Sequence, residues 1–385
     1  MAALSGGHLA VDFASGSVPA LIPFLTSRFH LSYALAGLLL LASTASSSLV
    51  QPLFGLWSDR RGALWLIPGG TLLAAVGIGG AAVSPLYPLV LLLVLAGGLG
   101  VAAFHPEGAK YAFYASGRKR ASGMSYFNIG GNTGYALGAF VTGQLVASLG
   151  LRATLLAMVP VAAVGIGLAR LAPGLRKVEP VSRVAAARAE REDDRHAMAL
   201  LGGVIALRSI AWFTLLAFVP LWLSSLGHSK TYGNRVLFLM LLAGAVGTLV
   251  LGPVADRVGL RRTLVVTQAA VPPLALTFVY VGGVAGIFAL MLVGVCVVGT
   301  FGVTMVLSQS YLPRHIGMAS GLSVGLAMGI GGVAAVVLGA VADSVDLKTA
   351  LTISALAPAL GVFLSLRLPR PASPRARPVP APAVD

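Results

Sequence analysis

Apolar runs of about twenty residues, separated by short polar breaks, recur from one end of the chain to the other. Leu89 to Ala103 holds no charged residue at all. None of the runs alternates with the two-residue period of a strand, so the pattern predicts helices, the open-ended element that satisfies its own backbone in lipid. A crossing needs about 20 apolar residues. Hydropathy breaks predict twelve, at roughly 5–26, 32–55, 64–83, 86–112, 122–147, 151–170, 199–226, 233–254, 263–281, 285–309, 317–341 and 347–366.

One long polar stretch, LAPGLRKVEPVSRVAAARAEREDDRHA (171–197), divides six spans from six, and Val184–Arg195 within it reads as an amphipathic surface helix. The expected organisation is a six-helix bundle over 1–170, a cytoplasmic linker over 171–197, a second six-helix bundle over 198–367, and a disordered Pro-rich tail over 368–385. The halves share internal repeats. GLWSDRRG (55–62) after span two matches GPVADRVG (252–259) after span eight, and SGMS (122–125) and SGLS (320–323) open spans five and eleven. Two similar six-span halves in one orientation are a transporter architecture, with the site at the midplane between them. The fold expected is therefore an all-α integral membrane protein of twelve transmembrane helices in two pseudo-symmetric halves.

Composition agrees with this class. Hydrophobic residues make up 57% of the chain, charged residues 10%, and mean hydropathy is +0.90; soluble domains carry about 25% charged residues. The 48 glycines suit close helix packing in lipid. A net charge of +15 would suggest nucleic acid in a soluble protein. Here it reads as basic residues kept on one side of a membrane, and no nucleic acid partner is expected. With the N-terminus inside, 21 of the 27 basic residues fall on the cytoplasmic side. Only Arg28, Arg152, Lys230, Arg235 and Lys348 fall outside, and Arg208 lies within a span. This predicts a multi-pass inner-membrane protein, monomeric in the bilayer, with both termini cytoplasmic. The first run lacks a basic leader and a cleavage site, so it reads as a span rather than a signal peptide. The single Cys296 excludes disulfides and thiolate metal sites, and no metal or cofactor is expected.

An ionised side chain at mid-bilayer costs on the order of 3 kcal/mol, so the few inside spans should face a cavity or one another. His8 and Asp12 stand four apart on one helix face, as a proton relay or a structural hydrogen bond. His105 and Glu107, in FHPEG (104–108), carry a coupling or substrate role, or else Glu107 pairs structurally with Lys110 or Arg208. Pro106 between them should kink the helix, and Lys110 is expected to snorkel towards the cytoplasmic face. Arg208 suits an anionic group such as a phosphonate or carboxylate; the alternative is a permanent pair with Glu107 or Asp12. Asn128, Asn132 and Gln309 bond either a polar ligand or another helix, and Trp212 lines the cavity or packs. Gly134 and Gly138, and likewise Gly325 and Gly329, are small-residue stripes for helix packing.

The paired loops resemble the signature loop of the major facilitator superfamily. HLAVDF (8–13), QPLFGLWSDRRG (51–62), FHPEG (104–108), FNIGGNTGYALG (127–138) and PRHIGMASGLSVG (313–325) resemble its fosmidomycin-resistance-type branch. The resemblance covers nearly the whole chain. It implies that spans one, four, seven and ten line a central cavity, where His8, Asp12, His105, Glu107, Arg208 and Gln309 fall. It implies gating by Asp59, Arg60, Asp256 and Arg257, which latch the outward-open state, and proton-driven export of small molecules. The sequence departs from the superfamily where Ala139, not Pro, follows Gly138, where span four lacks an Arg, and where Ala63 and Leu64 replace basic residues.

Catalytic motifs are missing: there is no H-E-x-x-H, G-x-S-x-G or Walker loop, and no acidic metal cluster. Neither a filter sequence nor a ring of like charge suggests a channel. The expected function is a proton-coupled antiporter exporting a small molecule. An uptake symporter and a non-transporting sensor or scaffold are the alternatives.

Overall fold

A computed structural model describes residues 1–61, 63–115, 120–175, 192–312 and 316–369. In chain order the helices are α1 (Ala2–Phe29), α2 (Tyr33–Arg61), α3 (Leu66–Val83), α4 (Tyr87–Ala115), α5 (Arg120–Leu149), α6 (Ala153–Leu175) and α7 (Arg195–Ser225). They continue as α8 (Lys230–Val258), α9 (Leu260–Tyr280), α10 (Gly283–Val298), α11 (Phe301–Tyr311), α12 (Ile316–Ser344) and α13 (Leu347–Arg367). Among the described residues there is no strand. Apolar side chains on every face leave the backbone no partner but itself, and ten of the helical segments are long and apolar enough to cross a membrane. Side chains close several helix starts: Asp194 accepts from Ala197 N, Ser229 from Tyr232 N and Asp346 from Thr349 N.

Each expected span corresponds to one helix except the tenth. The run expected at 285–309 is two helices, α10 and α11, parted at Gly299 and Thr300. Two further boundaries differ from expectation. The helix expected over Val184–Arg195 lies outside the described residues up to 191; its last residue, Arg195, opens α7 instead. The tail expected from 368 begins packed, because Leu368 is fully buried and Pro369 O accepts from the Tyr311 hydroxyl at 2.7 Å. An apolar side chain beside an open donor has reason to stay. The rest of the expected tail, from 370, lies outside the described residues.

The two halves repeat one packing plan. In the first, α3 packs on α4 and α6, and α2 on α4; in the second, α9 packs on α10 and α13, and α8 on α10. The halves meet along α2 with α12 and α5 with α8. At Gly134 and Gly138 a Cβ would run into the carbonyls of Leu9 and Phe13, and at Gly16 into that of Tyr135, so α1 and α5 approach backbone to backbone. Gly325 and Gly329 do not pack this way: nothing lies within 4 Å of a Cβ at either. On α12 the contacts are made by Gly331 against Phe213, Gly332 against Thr44 and Gly339 against Tyr33. Glycine spacing names a helix stripe, but rotation of the helix decides which stripe meets a neighbour.

Side-chain bonds between the halves gather at the side of the bundle opposite the start of α1. Asp343, on the last turn of α12, accepts from Tyr33 N at 2.7 Å and Ala34 N at 2.9 Å, and so caps α2 of the other half. Asn234 Nδ2 donates to Ala20 O at 3.1 Å, and Arg235 Nη2 to Gln144 Oε1 at 3.2 Å. Phe140 and Phe238 pack with ring centroids 4.6 Å apart.

Two outcomes follow from this packing. Gly138→Val should lower the unfolding temperature, costing about 1–3 kcal/mol or more by overpacking, whereas Gly325→Val should leave it unchanged. Equal unfolding temperatures in detergent would refute the α1–α5 assignment. Asp343→Ala should raise the labelling of a cysteine placed at Tyr33 by several-fold; unchanged labelling would mean that the cap does not hold the two halves together at this end.

Candidate functional site

Three ionisable side chains from two helices converge in the first half. His8 Nε2 lies 3.2 Å from Asp12 Oδ2, one turn along α1, and His105 Nε2 on α4 lies 3.3 Å from Asp12 Oδ1. The two Nε2 atoms are 3.2 Å apart. His8 Nδ1 bonds Phe127 O at 2.7 Å and His105 Nδ1 bonds Val101 O at 2.8 Å. A carbonyl only accepts, so each Nδ1 must carry its hydrogen. If both rings were neutral, each Nε2 would then present a lone pair to the other and to a carboxylate. Three acceptors at hydrogen-bond distance repel one another, so this arrangement calls for a hydrogen on at least one Nε2. A proton shared among the three would relieve that repulsion.

The surroundings of the cluster fit that use. His8 stacks on Phe127 with centroids 4.1 Å apart and is buried, while the side chains of Asp12 and His105 keep 17% and 24% exposure. A proton can thus be stored out of water and still be reached. Gly131, in the GGNTG stretch, leaves the room: a Cβ there would meet the His8 imidazole, with the Asp12 carboxylate at 2.7 Å. The donor atoms of His8, Asp12 and His105 lie within 4.8 Å of one another, so the set could also hold a metal ion, which the sequence pattern did not foretell.

Glu107 belongs to a different group. Its side chain is fully buried and Oε2 lies 3.1 Å from Lys110 Nζ, one turn on along α4. Lys110 therefore does not snorkel as expected. A buried carboxylate three residues away offers it a partner without leaving the helix. α4 continues through Pro106 without a break.

Arg208 stands in the second half, on α7, with 2% exposure. Its Nη1 donates to Thr300 Oγ1 at 2.8 Å and its guanidinium carbon lies 4.9 Å over the Phe301 ring. Among the described residues it forms no ion pair, and its Nε has no partner. The expected alternative, a permanent pair with Glu107 or Asp12, is not formed. Lys110 and the two histidines, all within the first half, hold those carboxylates instead.

A family model described as Major Facilitator Superfamily matches residues 4–336 and, separately, 201–384. The chain belongs to the major facilitator superfamily. Two curated relatives agree. An uncharacterized MFS-type transporter, YfnC, of Bacillus subtilis (strain 168) is 32% identical over 368 residues, covering 93% of this chain and 90% of the relative. The fosmidomycin resistance protein of Escherichia coli (strain K12) is 29% identical over 385 residues, covering 96% and 92%. Among solved structures, a mutant of the nucleoside transporter NupG superposes with a TM-score of 0.76 at 15% identity, covering 95% of this chain and 98% of that one. A bacterial homologue of the human lysosomal transporter Spinster, inward-facing and occupied, gives 0.76 at 13% identity, covering 94% and 95%. At such identities the structures establish the fold alone. This superfamily member is a multi-pass membrane transporter.

Other expected residues of this transporter are scattered. Asn132 Nδ2 reaches Thr248 Oγ1 at 3.5 Å across the two halves, and Asn128 is exposed on α5. Gln309 is half-buried on α11, nine residues and about 14 Å beyond Thr300, so it does not join Arg208. Trp212, one turn beyond Arg208, is 6% exposed in the apolar core and acts in packing rather than lining an open space. Asp256 and Arg257 are exposed at the end of α8 and bridge to no neighbouring helix among the described residues. The residue that does so is Arg261, whose guanidinium donates to Ser365 O at 3.3 Å and to Leu366 O, closing the end of α13. It stands on the first turn of α9, against those open carbonyls. The side chains of Asp59 and Arg60 lie outside the described residues.

Sequence reasoning missed Thr300, Gly131 and Asp343. Thr300 carried a signal, being the one polar residue of VVGTFG (297–302) in an apolar run. Asp343 falls just beyond the expected end of span eleven, and Gly131 sits in a glycine-rich stretch, so neither stood out.

The Glu107–Lys110 pair gives a test. Lys110→Met leaves a charge in a dry place and should destabilise by about 3–5 kcal/mol, and adding Glu107→Gln should recover most of the loss. Thermal unfolding of the three variants checks it; equal loss in single and double variants would show that the pair does not act as a unit.

Proposed function

We propose that this transporter is a proton-coupled antiporter that exports a small molecule from the cytoplasm across the inner membrane by alternating access. The observation that carries the reading is the His8–Asp12–His105 cluster, where three acceptors converge within hydrogen-bond distance and a proton would relieve their repulsion. Displacing α4 relative to α1 would part His105 from Asp12 and remove the reason for that proton to stay. Movement of helices and release of a proton are thereby linked. The side facing the start of α1 is cytoplasmic on this reading, because basic residues crowd there. The bonds between the halves at Asp343, Asn234 and Arg235 then close the outer side.

Export is supported by the relative named fosmidomycin resistance protein, which also makes fosmidomycin the first substrate to try. Arg208, a buried cation in the opposite half, is the substrate contact. Glu107, held by Lys110, supports α4 rather than carrying the coupling proton. The transporter works as a monomer, driven by the proton gradient, with protons and the small-molecule substrate as its partners. In this reading the cluster holds a proton, not a metal.

Reconstituted vesicles test this, with a chelator present so that no metal occupies the cluster. Asp12→Asn should keep substrate exchange without a gradient but lose accumulation driven by a pH gradient. Full gradient-driven transport in Asp12→Asn would overturn the coupling role. Proton and substrate fluxes in the same direction would favour the symporter, and no flux of any substrate would favour a sensor or scaffold.

A further inference from the structure

The gap between α10 and α11 is a place where the helical ladder stops inside a membrane span. Gly299 N bonds Val295 O at 3.0 Å, and the ladder resumes only with Thr304 N on Thr300 O at 3.0 Å. The bonds Thr300 N to Cys296 O and Val303 N to Gly299 O are therefore not made, and the amides of the first turn of α11 have no partner within that helix. The carbonyl side of the gap is cared for: the Thr300 hydroxyl lies 2.7 Å from Cys296 O and 3.1 Å from Val297 O. On the amide side, no side chain caps α11. Irregular backbone at membrane depth persists only where it is buried in protein or lines a cavity. The start of a half-helix concentrates positive partial charge.

Beside this open start stands Arg208, 98% buried by its 2% exposure. Two contacts aim it there: Nη1 on Thr300, the residue that precedes α11, and the guanidinium over Phe301, the first residue of α11. With Nη1 engaged, the edge formed by Nε and Nη2 is left, and Nε has no partner among the described residues. That edge is the one that grips two oxygens of an oxyanion side by side. A buried cation without a counter-charge and a helix start without a cap, in contact with each other, lack the same thing.

We propose that Arg208 and the amides at the start of α11 form an oxyanion seat that receives the phosphonate, phosphate or carboxylate end of the transported molecule. Thr300 is a positioning residue: it holds the guanidinium by one arm and turns the free edge towards the ligand. This rests on the reading of the chain as a transporter whose substrate meets Arg208. It adds the chemical group recognised and the backbone that recognises it. The seat belongs to the second half and the proton cluster to the first, so oxyanion and proton do not compete for one group. A lipid headgroup is the poorer occupant, because Arg208 is enclosed by helices rather than turned to the bilayer.

Binding to the purified full-length protein in detergent tests the seat with no gradient present. Inorganic phosphate and methylphosphonate are titrated in a chloride buffer, and the rise in unfolding temperature gives the affinity. Both probes should stabilise the wild type. Arg208→Lys, which keeps the charge but loses the planar edge, should weaken binding about tenfold or more. Thr300→Val should weaken it about three- to tenfold while Arg208 stays in place. Phosphatidylglycerol added to the detergent should not displace the probes; displacement would transfer the site to a lipid headgroup and overturn the proposal. Failure of both probes to stabilise the wild type would overturn it, as would equal affinities in the wild type and the two variants. Because no flux is measured, loss of the seat and loss of proton coupling are read separately.

Discussion

In hydrocarbon a polar group without a partner costs several kilocalories per mole, and the bundle is arranged around that penalty. Helices solve it for most of the backbone. Where the ladder stops, after Gly299, the Thr300 hydroxyl donates to the Cys296 carbonyl, with that of Val297 next nearest. Where a carboxylate is buried at residue 107, a lysine three positions on supplies the opposite charge from the same helix. Where a buried and a half-buried imidazole meet, each gives one nitrogen to a carbonyl, which turns the other towards the carboxylate of Asp12. The convergence of three acceptors there is thus a consequence of how the rings are anchored.

The same penalty separates the two halves by function. The first half contains a matched set, acids with cationic neighbours, and is complete in itself. The second half contains Arg208, a cation that no acid neutralises among the described residues, beside a helix start that no side chain caps. On the proposed reading, a proton would complete the one and an oxyanion the other, the division of labour an exchanger needs. The halves are joined by polar bonds such as the Asp343 cap on α2. Such bonds are worth about 1–3 kcal/mol each when one group is charged, strong enough to hold a state and weak enough to release it.

The fold was legible because its signal is long and redundant. About twenty apolar residues in a row admit one reading, and twelve such runs with repeated loops at Asp59 and Asp256 describe two like halves. His8 and Asp12 were legible as partners because a helix brings residues four apart together whatever surrounds it. Gly134 and Gly138 were read correctly as packing residues, while Gly325 and Gly329 were not, although the spacing is the same. The difference lies in the rotation of α12 about its axis, and a run that is apolar on every side leaves that rotation unspecified.

The sequence by itself determined the class of molecule, the number and order of spans, and the short list of ionisable groups that membrane burial makes expensive. These depend on composition and on contacts within one helix. Only the tertiary structure decided which listed groups meet: His105 with Asp12, Glu107 with Lys110 rather than Arg208, and Arg208 with Thr300. It alone revealed the break at Gly299 and Thr300, since a span with one interrupted turn has the same hydropathy as an unbroken one. Pairings across helices depend on how six rods are rotated and tilted against one another. That arrangement comes from the sum of many small packing contacts, none of which leaves a mark at a single position in the chain.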